Sequence, residues 1–300
     1  MISICIPIYN RDMSDTVREL ASQIRSLDVP CELICIDDHS DNNFAEKNKH
    51  LGEAGKYVVL DENVGRARIR NLFLKYASYD YLLFLDCDSL VTENFLSCYV
   101  RLLMHERTAK VVCGGRVYDA KSDDREHHLR YVYGVKCESH TAEQRRKYPY
   151  RSFMTNNFIV HRDVLKEVPF DERISRYGHE DTLFGYRLMQ HKVPIVHIDN
   201  PVINGDVETN EEFMRKTADG VKSLADIYRW MGNDKEFVKQ VSLLRFYDCT
   251  QRWKLNRCIY CLFKLVKPWI AEGLKRGERV NMKLFAFYKL GLLIENIGVR

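Results

Sequence analysis

The chain has 300 residues, 45% of them apolar and 29% charged, the composition of a soluble globular protein with room for one large or two modest domains. No charged leader with a small-residue cleavage site precedes the first apolar run, and no uncharged stretch reaches the roughly 18 to 20 residues of a spanning helix, so neither a signal peptide nor a membrane span is expected. The net charge of +4 is uneven: residues 251–300 hold 11 Lys plus Arg against 3 acidic residues, a net of +8, which leaves −4 for residues 1–250.

From the N-terminus to Gly114, apolar strands and helical patterns alternate at short intervals. Strands are expected at 2–8, 32–37, 56–60, 81–86 and 110–114, and helices at 13–27, 44–54, 66–77 and 92–107. This alternation predicts an α/β fold, a doubly wound and mostly parallel sheet with right-handed crossovers. The first strand-to-helix turn, Pro7-Ile8-Tyr9-Asn10, carries no GxGxxG, and no GxxxxGK[ST] occurs anywhere, so a usual dinucleotide site or P-loop is excluded. Residues 115–151 are polar and aperiodic and read as a lid or substrate loop. Order returns with a strand at 153–160 interrupted by Asn156 and Asn157, a helix from Glu180 to His191, and a strand at 195–198 in which His197 fits as an ordinary sheet residue. Beyond Glu208 the pattern is helical. Five of the ten cysteines, Cys5, Cys35, Cys87, Cys98 and Cys113, lie in apolar patterns and read as small core residues of a reducing compartment. The Cys258-x-x-Cys261 pair has no partner pair and is expected to pack in a helix core rather than to bind zinc.

The run Tyr81–Leu85 ends abruptly at Asp86-Cys87-Asp88. If the backbone stays extended, Asp86 and Asp88 share one side, where two carboxylates repel unless a cation or hydrogen-bond donors compensate. Other strand ends carry Tyr9-Asn10, Asp37-Asp38 and Asn63-x-Gly65, followed by Arg66 and Arg70 at i, i+4. Each has an ordinary reading as turn, cap or solvated helix face. Gathered at the carboxyl ends of parallel strands, where such sheets bind ligands, they are harder to explain as packing.

The set Pro7-x-Tyr9-Asn10, Asp37-Asp38-x-Ser40, Asn63-x-Gly65 with Arg70-Asn71, Asp86-x-Asp88 and Gly178-His179-Glu180-Asp181 resembles family 2 glycosyltransferases of the bacterial surface-polysaccharide type. The likeness covers residues 1–206. It implies a GT-A catalytic domain over 1–206, with a nucleotide-binding half at 1–114 and an acceptor half at 115–206. A basic helical extension would follow over 207–300. It further implies an inverting transfer from a nucleotide-diphosphate sugar, expected to be a UDP-sugar, to a glycan or lipid-linked acceptor. Carried over, Pro7, Tyr9 and Asp38 would frame the base, with Asn10, Asn63, Gly65 and Arg70 also on the donor. Asp86 and Asp88 would meet ribose and a Mn2+ or Mg2+ ion that neutralises the departing diphosphate. Asp181 would be the general base. Asn156, Asn157, Tyr177, His179 and Glu180 are the acceptor candidates. Asn204 stands where relatives carry a His that completes the metal site, which leaves a second reading open: a catalytically weakened nucleotide-sugar-binding partner in a polysaccharide synthesis complex. A nucleotidyltransferase would need a glycine-rich basic turn that the first strand lacks.

In the basic segment, Ile259, Leu262, Phe263, Val266 and Ile270 follow helical spacing and are expected on one apolar face, while Lys283–Ile297 is apolar nearly all round. Packing within the chain or in a homodimer, and peripheral membrane contact through 251–300, both fit; no nucleic-acid motif accompanies the charge. A cytoplasmic location is expected, with the inner face of a membrane as the site of any such contact.

Overall fold

In the computed structural model, which describes all residues except 121, 122, 233, 279, 299 and 300, the strands in chain order are β1 Ile2–Ile8, β2 Cys31–Asp37, β3 Lys56–Val59, β4 Tyr81–Leu85, β5 Ser89–Leu90, β6 Val111–Cys113, β7 Arg116–Tyr118, β8 Asn157–His161, β9 Ile195–His197 and β10 Val202–Asn204. The helices are α1 Ser14–Arg25, α2 Asn42–Asn48, α3 Arg66–Tyr76, α4 Phe95–His105, α5 His128–Tyr133, α6 Ala142–Arg146, α7 Arg162–Glu167, α8 Glu180–Gln190, α9 Asn210–Trp230, α10 Lys235–Gln240, α11 Ser242–Arg252, α12 Asn256–Arg276 and α13 Met282–Ile297. They form two units. The first is Met1–Val117, Glu138–Ser175 and Leu183–Asp206; the second is Tyr118–Cys137, Arg176–Thr182 and Val207–Arg300. Part of the stretch read as an acceptor half therefore belongs with the helices.

The first unit is built on a seven-stranded sheet of order β3-β2-β1-β4-β8-β6-β9. Strand β1 shows why it forms: Ile2, Ile4, Ile6 and Ile8 enter one core cluster, while Cys5 enters the cluster on the other face. A strand buried on both faces reads as a continuous apolar run, as this one does. The period of two repeats in β4, where Leu83 and Leu85 join the first cluster and Leu82 and Phe84 the second. The second face is aromatic: Phe84 stacks on Phe158 at 5.0 Å between centroids, and Phe170 on Phe184 at 4.2 Å.

Several expectations need correction. Strand β8 starts at Asn157 rather than at 153 and runs antiparallel to both β4 and β6. The helix expected at 44–54 splits into α2 and a 3-10 turn, Lys49–Glu53. The aperiodic 115–151 holds short elements, including β7, which joins a three-stranded sheet of order β5-β10-β7 that periodicity over two or three residues does not reveal. Cys5, Cys35 and Cys113 are core residues, Cys87 and Cys98 are half-buried, and the Cys258/Cys261 pair is exposed rather than packed. Burial raises the Cys35 and Cys113 thiols to about 12.

The second unit centres on α9, α12 and α13. Gly291 lets α12 approach closely, since a Cβ there would lie 2.2 Å from the Phe263 ring. Phe285, Leu290, Leu293 and Ile294 of α13 are buried, which accounts for a helix apolar nearly all round. The single apolar face expected for α12 divides instead: Phe263 and Ile270 are buried, but Leu262 is exposed. Among the described residues no helix is long and apolar enough to cross a membrane.

Candidate active site

Strand β1 lies between β2 and β4, both parallel to it, so the chain order reverses at β1. Beyond the carboxyl ends of such a reversal lies the crevice that ligands use. Asn10 staples the ends of β1 and β2: its N–H donates to Ser40 Oγ at 2.8 Å, and its Oδ1 accepts from the Asp41 N–H at 2.7 Å, with φ at 48°. Pro7 is half-buried on the same strand, and the Tyr9 ring is half exposed beyond it. Asp37 is fully buried and accepts from the Ser40 N–H and the Tyr57 hydroxyl, a bracing role. Asp38 faces the other way. Its carboxylate accepts from the Val64 N–H at 2.7 Å and the Gly65 N–H at 3.0 Å, while Asn63 donates to its carbonyl. Burial raises the Asp38 carboxyl, against the pull of those two amides. The loop 63–65 is thereby fixed in front of α3, where Gly65 has φ of 82°, a conformation that favours glycine.

The backbone is not extended through Asp88. Strand β4 stops at Leu85 and the chain turns, the Ser89 N–H donating to the Asp86 carbonyl at 3.1 Å. The two acids are compensated separately, each by an arginine. Arg70, 1% exposed, donates to Asp86 Oδ1 at 2.8 Å. Arg116 donates to Asp88 Oδ1 at 2.6 Å. Burial would raise the Asp86 carboxyl, but Arg70, with Arg66 and Arg116 behind it, outweighs that and holds it below the ordinary range. Asn204 closes the group: its Nδ2 donates to Asp88 Oδ2 at 3.1 Å. The small sheet does this positioning, because β10 pairs Asn204 with Ser89, and β7 begins at Arg116 directly after Gly114 and Gly115. Arg116 was missed by the sequence reading. An arginine immediately after Gly-Gly at the end of an apolar strand was the available signal.

Asn156 and Asn157 reach this edge because β8 is antiparallel, so its start lies beside the end of β4, with Leu85 opposite Asn157. The Asn157 amide is used up internally: Oδ1 accepts from Tyr99, and Nδ2 donates to the Gly115 and Asn200 carbonyls. Asn156 differs. Its carbonyl accepts from the Asp86 N–H at 3.2 Å, but its buried Oδ1 has no hydrogen-bond partner, and neither has Asn204 Oδ1. A buried acceptor in that state is one that a water, ligand or ion can satisfy. Among the described residues no three His, Cys, Asp or Glu side chains are grouped to hold a metal. The Asp88 carboxylate nonetheless supplies the hard oxygen that suits an ion such as Mg2+ or Mn2+, which commonly takes few protein ligands and completes its shell with phosphate and water.

In the second unit, Gly178 and His179 both have positive φ, 90° and 69°, and Ser223 anchors the turn by donating to the Gly178 carbonyl at 2.8 Å. A non-glycine residue held there is strained and marks an over-determined site. Burial lowers His179 to about 4, so its ring is neutral at pH 7, within 3.1 Å of Thr182 Oγ1. Glu180 is buried at the start of α8. Asp181 Oδ1 accepts from the Thr182 N–H at 2.6 Å, and Tyr177 lies under the Lys216 ammonium at 5.6 Å.

A family model described as glycosyl transferase family 2 matches residues 3–169. Chondroitin synthase from Pasteurella multocida is 26% identical over 221 residues, covering 62% of this chain and 23% of that protein. Poly-beta-1,6-N-acetyl-D-glucosamine synthase from Staphylococcus epidermidis is 36% identical over 100 residues, covering 31% of this chain and 23% of that protein. The chain thus spans about a quarter of the length of these relatives. Among solved structures, a mannosyltransferase from Pyrobaculum calidifontis in complex with GDP-Man and Mn2+ superposes with TM-score 0.60 at 15% identity, over 98% of this chain and 86% of that one. Glucosyl-3-phosphoglycerate synthase from Mycobacterium tuberculosis, in complex with Mn2+, UDP and glucosyl-3-phosphoglycerate, gives TM-score 0.52 at 17% identity, over 75% and 79%. The fold is the GT-A fold that the motif order implied.

Proposed function

Because the chain belongs to glycosyl transferase family 2, we propose that it transfers a glycosyl unit from a nucleotide-diphosphate sugar, with UDP as the preferred nucleotide, to a glycan or lipid-linked acceptor in the cytoplasm. The observation that carries this reading is the cluster at the sheet's switch point, Arg70 on Asp86 and Arg116 with Asn204 on Asp88. Asp38, Tyr9, Pro7 and Asn10 flank the base, with Asn63 and Gly65 in the loop that Asp38 holds. Arg70 and Arg116, by neutralising Asp86 and Asp88, relieve the repulsion those acids would exert on the diphosphate. Asp88 is the residue that would hold Mn2+ or Mg2+, with Asp86 kept beside it by Arg70; an ion bound there would offset negative charge on the leaving diphosphate.

Inversion needs one displacement and one base. In this reading Asp181 takes the proton of the acceptor hydroxyl as that oxygen attacks the sugar carbon and the bond to the diphosphate breaks. Neutral His179, with Tyr177, Glu180 and Asn156, orients the acceptor. Two liganded solved structures of this fold, one with GDP-Man and one with UDP, both with Mn2+, support the donor class. A nucleotide-release assay across UDP- and GDP-sugars, with Mn2+ and with Mg2+, tests it: release from a UDP-sugar is expected, and no release from any donor counts against transfer.

A second reading is favoured by one observation. Both carboxylate oxygens of Asp88 already accept from Arg116 and Asn204. A chain that binds nucleotide diphosphate yet yields no product with any donor and acceptor pair would be the weakened binding partner.

A further inference from the structure

Helix α12 has two apolar faces. The inner one, Phe263, Ile270 and Leu274, is buried, and Gly291 seals it by admitting the Phe263 ring. The outer one has no such use. Leu262, Leu265 and Trp269 follow i, i+3, i+7 spacing on one stripe, with Leu265 80% and Trp269 71% exposed, and Trp253 in the preceding turn is 74% exposed. Arg252, Lys254, Arg257 and Lys264 lie exposed around it. Residues 252–276 carry seven Lys and Arg against one acidic residue, Glu272, which pairs with Arg276 at 2.9 Å. Asp248 pairs with Arg252, Glu295 with Lys267 and Glu211 with Lys275, so the surplus positive charge of the rim rests on Lys254, Arg257 and Lys264.

We propose that this stripe docks on an anionic lipid surface. Leu and Trp side chains that water solvates poorly enter the headgroup boundary, and the surrounding cations meet lipid phosphates. Charge selects this occupant over a second copy. A two-fold contact would set the same cationic rim against itself, since an isologous interface pairs a patch with its own image, whereas an anionic surface neutralises it. A nucleic-acid backbone would satisfy the cations but leave Leu265 and Trp269 in water. The distance of this stripe in sequence from the nucleotide motifs makes UDP binding a separate control for the donor site.

The test is flotation of the full chain with phosphatidylcholine vesicles, with and without phosphatidylglycerol, at low and high salt. Binding to the anionic vesicles is expected, weakened by salt, and lowered at least about tenfold in the Leu265→Glu/Trp269→Glu double variant. Both positions are exposed, so the variant's thermal midpoint should match the parent's. Should it fail to fold, tryptophan emission of the unaltered protein provides the second readout, with a blue shift expected on adding anionic vesicles. Any of four results would overturn the proposal: no flotation at low salt, undiminished binding by the variant, a concentration-dependent dimer that the variant disperses, or retention on nucleic acid in place of vesicles.

Discussion

Arg116 donates to Asp88 Oδ1 at 2.6 Å, so the acid best placed to hold a divalent ion is already bound to a cation of the protein itself. Arg70 stands in the same relation to Asp86 at 2.8 Å. The two carboxylates are thus neutralised by the protein's own arginines before any metal arrives, and Arg66 acts on Asp86 as a further cation. Nucleotide diphosphate should therefore bind measurably in chelator. Arg116→Gln should lower that metal-free affinity by about tenfold, the scale of one hydrogen bond to a charged group, as calorimetry with UDP in chelator would measure. Equal affinities in the two proteins would remove Arg116 from the donor site.

Removing Asp86 should act on the fold before it acts on chemistry. Asp86→Ala leaves Arg70, which is 1% exposed, without its carboxylate, and an uncompensated buried charge costs about 3 kcal/mol or more. Denaturant unfolding should show that loss, and Asp88→Ala, which strips buried Arg116 of its carboxylate in the same way, should show a smaller one because Arg116 is less deeply buried than Arg70 and Asp88 is more exposed than Asp86. Comparable stabilities for the two variants would mean that Arg70 is satisfied by other groups.

Asp38→Ala should release the loop at 63–65, because the Val64 and Gly65 N–H groups lose their shared acceptor. A destabilisation of about 1–3 kcal/mol is expected, with faster hydrogen exchange at those two amides. Unchanged exchange there would show that the loop is held by something else.

Stability should fall in mild acid. Burial pushes His179 and His197 down to about 4, against about 6.5 in an unfolded chain. Between those values the unfolded chain binds protons that the folded one excludes, so stability is complete above about 6.5 and declines as pH drops toward 4. His197→Gln keeps a donor toward the Pro149 carbonyl, which His197 Nε2 contacts at 3.0 Å, and should flatten the fall. Melting midpoints between these pH values, read for both proteins, check the sign and the share.

Much of this was legible in the sequence because it rests on local rules. Buried strands such as β1 announce themselves as apolar runs, and Asp38, Asp86 and Asp88 stand out as acids at their ends. What was not legible depends on pairing between distant segments. The antiparallel direction of β8 brings Asn156 to the edge but spends Asn157 inside it, and the two are indistinguishable in the sequence. Strands β5, β7 and β10 are too short to show a period, so the meeting of Asp88, Arg116 and Asn204 was hidden. Only the position of Asn204 was suspected, from motif order. In α12 the 3.6-residue period placed Leu262 with Phe263, although one faces solvent and the other Gly291.

The most direct test separates binding from transfer in two variants. Affinity for UDP with Mn2+ and turnover of a UDP-sugar with an acceptor would be measured for the parent, Asp88→Ala and Asp181→Asn. Asp88→Ala should lose both affinity and turnover. Asp181→Asn should bind UDP as the parent does and lose turnover by at least about a hundredfold, the scale of a removed general base. Turnover retained in both variants would contradict the account.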